Sequence, residues 1–120
     1  ALKAVQTLKD EIKPLLMISE IRTIASDNLW MSTCFQQDSV AIHFTLNPNT
    51  DGVMKFLPKL EEKLAPFGAC PHWGKLFTLA PAVLQSRYPK LNDFKQLVNR
   101  HDPGGKFRND FINTNLYGNA

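Results

Sequence analysis

Ser39-Val40-Ala41-Ile42-His43-Phe44-Thr45-Leu46 is the clearest strand in the chain. Side chains alternate faces along a strand. Val40, Ile42, Phe44 and Leu46 therefore make an apolar face that reads as core, while Ser39, Ala41, His43 and Thr45 make a face with an imidazole and a hydroxyl. Upstream, Leu15 to Ala25 reads as a second strand, because Ile18, Ile21, Thr23 and Ile24 suit a pleated surface. One of its rows is Leu16, Ile18, Glu20, Arg22 and Ile24; the other is Met17, Ser19, Ile21 and Thr23. Two charges in the middle of an apolar row are out of place on a core strand. If the strands pair antiparallel, Glu20, Arg22, His43 and Thr45 converge on one sheet face.

The flanks of these strands are helical. Residues 2–13 carry Leu2, Val5, Leu8 and Ile12 at three- and four-residue steps, and Pro14 ends the run. Residues 26–37 hold Asp27-Asn28 and small polar residues and read as a loop. Trp30, Met31 and Phe35 make that loop sticky, so it either folds back over the core or touches something else. Asn47-Pro48-Asn49 is a turn, and Thr50 or Asp51 is expected to cap the next helix. Val53, Phe56, Leu57, Leu60 and Leu64 form its stripe, with Pro58 predicting a kink or a late start. Pro66-Phe67-Gly68 closes it. Ala80 to Leu84 reads as a helical turn. Tyr88-Pro89 is expected to open a last helix with Leu91, Phe94, Leu97 and Val98 inward. Asp102-Pro103-Gly104-Gly105 is a turn. The tail from Phe107 to Ala120 is ordered only if Phe111, Ile112, Leu116 and Tyr117 find a groove. This order predicts an α+β fold: an antiparallel sheet with helices packed on one face and the other face left polar.

Composition narrows the function classes. The chain has 120 residues, which is one domain's worth. Its net charge of +3 is spread along the chain, without the basic stripe of a nucleic-acid binder. Cys34 and Cys70 form no paired motif and no His cluster stands at metal spacing, so neither a zinc site nor any other metal is expected. Free thiols and a cytoplasmic location are the expectation, since no apolar run approaches a membrane span and no basic-then-apolar leader is present. A chain that opens at Ala1 inside a helix is expected to be a piece of a larger protein.

The polar residues have bland readings. Glu20 and Arg22 on a solvated strand face contribute little. A lone strand His is more often structural than catalytic. Pro71-His72-Trp73-Gly74-Lys75 can be a core indole beside a solvated lysine, although Gly74 permits a tight backbone that turns Lys75 toward a site. Against the bland readings, a carboxylate that accepts hydroxyls and a guanidinium that donates in a planar fork are what a small polar ligand needs. No nucleophile elbow surrounds any serine, and Gly104-Gly105 is a turn rather than a phosphate loop.

At these residues the chain resembles a known family. Ser19-Glu20-Ile21-Arg22-Thr23, Val40-Ala41-Ile42-His43-Phe44-Thr45, Leu64-Ala65-Pro66-Phe67-Gly68-Ala69 and Pro71-His72-Trp73-Gly74-Lys75 are similar to the C-terminal part of alditol oxidases, xylitol oxidase among them. These belong to the aldonolactone oxidase group of vanillyl-alcohol-oxidase-type flavoproteins. Tyr88 to Phe94 and Asp102 to Asn109 resemble the family's closing helix and turn, so the likeness runs from about residue 15 to 117. The His-Trp-Gly-Lys run and the Asp-Pro turn mark the group, while Glu20-x-Arg22 and His43-x-Thr45 point to the alditol branch.

The resemblance implies an FAD-dependent oxidase that converts a terminal polyol hydroxyl to an aldehyde, with O₂ giving H₂O₂. Glu20, Arg22, Thr45 and Lys75 match its substrate-contacting positions, and His43 lines the same pocket. Arg22 and Lys75 would lie near the reacting hydroxyl, where a cation stabilises alkoxide charge. Glu20 and Thr45 would hold hydroxyls further along. Either His43 or Lys75 would take the proton. In that case residues 1–120 are a single C-terminal substrate-domain fragment, with the N-terminal FAD-binding domain and its flavin-attaching His absent. The fragment alone would neither hold FAD nor turn over, and it would self-associate or carry a disordered tail. The alternatives are an aldonolactone oxidase fragment and a non-catalytic α+β binding or dimerisation module.

Overall fold

The computed structural model of the chain describes residues 1–118. The fold is α+β, with helices and a two-stranded antiparallel sheet among the described residues. Helix α1 (Leu2–Gln6) and helix α2 (Lys9–Ile12) stand where the periodicity predicts one helix. The Thr7 hydroxyl donates to the Ala4 carbonyl at 2.7 Å, and the Leu8 amide reaches Val5. Side-chain competition of this kind tightens the backbone at Thr7. The division still leaves Leu8 and Ile12 buried together.

Strand β1 (Leu16–Ile24) and strand β2 (Ser39–Leu46) pair Glu20 with His43, Ile18 with Thr45 and Arg22 with Ala41. Directly opposed residues share a side. The four polar residues therefore lie on one face, as the alternation predicts. Leu16 departs from its expected row. A bulge between Leu16 and Ile18 pairs Leu16 with Leu46, on the face opposite Glu20.

Helix α3 (Thr50–Leu64) is capped by Asn49, whose side-chain oxygen accepts from the Gly52 amide, rather than by Thr50 or Asp51. It runs unbroken through Pro58. An interior proline costs about 3 kcal/mol. Val53, Phe56, Leu57 and Leu60 bury one stripe of α3, each contributing about 1.5–3 kcal/mol, which outweighs that cost. Pro58 and Met54, whose carbonyl loses its partner, are both exposed. With Leu8, Ile12 and Leu15 these residues form a first core, against which Leu16, Phe44 and Leu46 pack. The helices thus cover only the Leu46 end of the sheet. Ile21 and Val40, further along the same face, are 57% and 59% exposed.

A second core holds Leu84, Tyr88, Leu91 and Leu116, with Met31, Trp73, Phe77, Phe94 and Ile112 around them. Leu84 comes from helix α4 (Pro81–Gln85) and Leu91 from helix α5 (Leu91–His101). Tyr88-Pro89 stands before α5 as a turn, and Leu97 is exposed rather than inward. The tail finds its groove. Asn109 caps helix α6 (Asp110–Ile112), and the π-turn Asn113–Tyr117 buries Leu116. The expected disordered tail is therefore ordered through Gly118; Asn119 and Ala120 lie outside the described residues. Two cores side by side give a radius of gyration of 15.8 Å. A compact domain of this length would have about 14 Å.

The candidate sheet-face site

On the outer half of the sheet, one carboxylate oxygen gathers two partners. Glu20 Oε2 accepts from Arg22 Nη2 at 2.8 Å and lies 3.1 Å from His43 Nδ1. The pairing of β1 with β2 causes this. Glu20 and His43 are directly opposed, and Arg22 follows two residues along the same row. The Arg22 guanidinium, with His43 beside it, lowers the Glu20 pKa below its ordinary value of 4.5. Glu20 is therefore an anion at neutral pH. An ionised carboxylate only accepts, so His43 donates from Nδ1. When His43 is neutral, its Nε2 is then an open acceptor able to take a proton.

The group is exposed rather than packed. Side-chain accessibility is 43% for Glu20, 63% for Arg22 and 33% for His43. Glu20 Oε1 makes no hydrogen bond among the described residues, and Thr45 is likewise without a side-chain partner among them. Ile18, beside Glu20 on this face, is 59% exposed. The arrangement presents an open acceptor, spare guanidinium donors, an imidazole nitrogen and a hydroxyl on one apolar-edged face. It suits a small molecule with several hydroxyls.

Lys75 stands apart from this group. It lies in the irregular segment 69–80, and its ammonium forms no hydrogen bond or ion pair with Glu20, His43 or Thr45 among the described residues. Its turn is nevertheless well anchored. Trp73 Nε1 donates to the Met31 carbonyl at 3.3 Å, and the Trp73 ring packs on Tyr88 and Phe111. His72 Nδ1 accepts from the Gly74 amide, and the Lys75 amide donates to the His72 carbonyl. Trp73 is thus the packed indole that the sequence allows.

Met31 lies in the 26–38 loop, which folds back as one of its two expected courses. Asp27 organises it, accepting from the Leu29 amide and the Ser32 hydroxyl, and Cys34 is buried. Leu29 and Trp30 remain exposed, whereas Phe35 is half-buried. Sequence reading missed Asp27's organising part. It also missed the contact of Glu61 with Thr78, in which the two carboxylate oxygens accept from the Thr78 amide and hydroxyl at 2.6 and 2.5 Å. The Asp27-x-x-x-x-Ser32 spacing was visible. Nothing local connects Glu61 to Thr78.

Cys34 and Cys70 are free thiols, and Cys70 donates to the Tyr88 hydroxyl. Burial raises the pKa of both Cys70 and Tyr88. No group of three or more His, Cys, Asp or Glu side chains gathers as a metal site among the described residues. No described helix is long and apolar enough to cross a membrane.

Comparison with known proteins identifies the family of the chain. The chain is 43% identical over 118 residues to the alditol oxidase of Streptomyces sp. (strain IKD472 / FERM P-14339), covering 98% of the chain and 28% of that protein. It is 29% identical over 100 residues to L-gulono-1,4-lactone dehydrogenase of Mycobacterium tuberculosis, and 28% over 104 residues to L-gulonolactone oxidase of Mus musculus. Each of these two matches covers 82% of the chain and 23% of the relative. The chain thus spans about a quarter of the length of these relatives. The family model for D-arabinono-1,4-lactone oxidase matches residues 3–115, and the chain belongs to that family.

Proposed function

We propose that these 120 residues are the C-terminal, substrate-side part of an FAD-dependent alditol oxidase. The parent enzyme converts a terminal alcohol of a polyol such as xylitol, with O₂, to the aldehyde and H₂O₂. The observation that carries this reading is the Glu20 carboxylate, held ionised by Arg22 and His43 on an open sheet face. The 43% identity to an alditol oxidase supports it.

The described residues offer no cradle for FAD. Gly68, Gly105 and Gly118, which adopt positive φ, close a helix or a turn, and none opens a phosphate-binding helix. In this reading FAD belongs with the remainder of the parent protein, in an N-terminal domain, and the fragment alone is inactive. This chain's own part is to hold the polyol. Glu20 Oε1 and Thr45 Oγ1 accept from hydroxyls along the substrate. Arg22 donates to the oxygen of the reacting alcohol and favours its alkoxide character. Lys75 adds a second cation once its turn meets the sheet face. Nε2 of His43 is the base, because its Nδ1–H is committed to Glu20. The exposed sheet face is the wall that meets the rest of the enzyme, and the protein works in the cytoplasm.

A second reading is an aldonolactone oxidase, favoured by the description of the matching family model and by the lactone-named relatives. One experiment separates them. Peroxide formation by the full-length flavoprotein is measured with xylitol, sorbitol and an aldonolactone. The proposal expects turnover of the open polyols, and loss of about a hundredfold or more in kcat/KM for Arg22→Met. Turnover of the lactone alone would replace this reading with the second.

A further inference from the structure

The geometry points to Glu61 as a positioning residue that fastens the Lys75-bearing turn to α3. This inference rests on the oxidase reading, because it gives the turn its purpose. Segment 69–80 has no ladder of its own. Between Gly68 and Ala80, the only backbone-to-backbone bond with its donor in the segment runs from the Lys75 amide to the His72 carbonyl, among the described residues. Position there is set by side chains. Trp73 fixes the upstream side through Met31 and the second core. Downstream, three residues after Lys75, Thr78 gives both its amide and its hydroxyl to the Glu61 carboxylate.

Hydrogen bonds to an ionised acceptor are about twice as strong as neutral ones, and two on one carboxylate fix direction as well as distance. Glu62, the next residue on α3, is exposed and forms no such bond among the described residues. Helix α3 is itself well seated. Four of its residues lie in the first core, and Lys59 pairs with Glu11 of α2. Glu61 therefore references the Lys75 turn to the core that also holds the Leu46 end of the sheet. Lys75 and the Glu20 face are positioned from one base even though no hydrogen bond or ion pair joins them among the described residues.

The test uses the full-length enzyme with Glu61→Ala, Glu61→Gln and Thr78→Val, each alone and combined with Lys75→Met. Hydrogen exchange at amides 75–79 is read first, because it does not depend on flavin or turnover. Glu61→Ala should speed it by about tenfold or more while the β1 and β2 amides stay unchanged. Glu61→Gln, which can still accept the amide and meet the hydroxyl, should restore most of the protection. In turnover, Glu61→Ala should lower kcat by about ten- to a hundredfold with little change in KM, the scale expected when a group is displaced by about 1 Å. In the Lys75→Met background the same change should cost little, since the group it positions is gone. Unchanged exchange, or an equal loss with and without Lys75, overturns the inference. If Glu61→Ala does not fold, Thr78→Val gives the same comparison through the hydroxyl bond alone. An enzyme that oxidises no polyol would defeat the oxidase reading, and the exchange result would still decide whether Glu61 holds the turn.

Discussion

The sheet face and the Lys75 turn bring polar side chains into place by opposite means. On the face, the antiparallel ladder of β1 and β2 does the placing, and Glu20, Arg22, His43 and Thr45 project from it into solvent. In segment 69–80 no ladder exists, and Trp73, Phe77 and Thr78 hold the chain through packing and side-chain bonds. Where backbone pairing does the placing, a functional side chain can be changed with little effect on folding. Where side chains do it, position and stability are coupled.

Substitutions can break or sharpen this contrast. Leu84→Ala removes the most deeply buried side chain beneath the Lys75 turn. It should cost about 3 kcal/mol, read as a shift of the urea midpoint. Asp102→Ala should cost about 2 kcal/mol by the same measurement. Its buried carboxylate accepts from the Lys106 and Phe107 amides and so holds the turn that leads the tail back onto the second core. Ile21→Ser on the open sheet should stay within about 0.5 kcal/mol. A loss as large as that of Leu84→Ala would mean that the sheet is not set by its ladder alone.

The smallest effect is electrostatic. Glu20's pKa is depressed in the folded state, so its contribution is complete above the unfolded value and disappears as pH falls through the folded one. The Glu20 carboxyl, followed by NMR, should titrate with a midpoint below 4.5, and Arg22→Met should raise that midpoint. A midpoint unmoved by Arg22→Met would show that the ion pair does not form in solution.

The ladder half of this contrast was legible in the sequence. Alternation in Ser39–Leu46 and in the Glu20-x-Arg22 row is local, and antiparallel pairing then brings the four polar residues together. Side-chain contacts over long separations were not legible. Glu61 and Thr78 are 17 residues apart and Trp73 and Met31 are 42 apart, and neither pair has a spacing that announces it. Local rules misplaced smaller features for the same reason. Pro58 should interrupt α3, but the buried stripe of that helix outweighs it. Leu97 fits the helical period, but the second core ends at Phe94 on α5 and does not reach it.

The bulge after Leu16 has a consequence for how much chain the site requires. One supernumerary residue acts as a phase shifter. Before it, β1 faces the helices with leucine; beyond it, the same strand shows the helices' side Ser19, Ile21 and Thr23 and gives Glu20 and Arg22 to the opposite side. Paired in step through Met17, the strand would put Leu16 on the Glu20 side and out of the core, because a one-residue slip exchanges the two faces. A chain lacking Met17 would pair Leu16 with Leu46 and Ile18 with Thr45 without a bulge, and both placements would stand. The bulge thus absorbs one extra residue while this nine-residue strand keeps an oily base and a watery face.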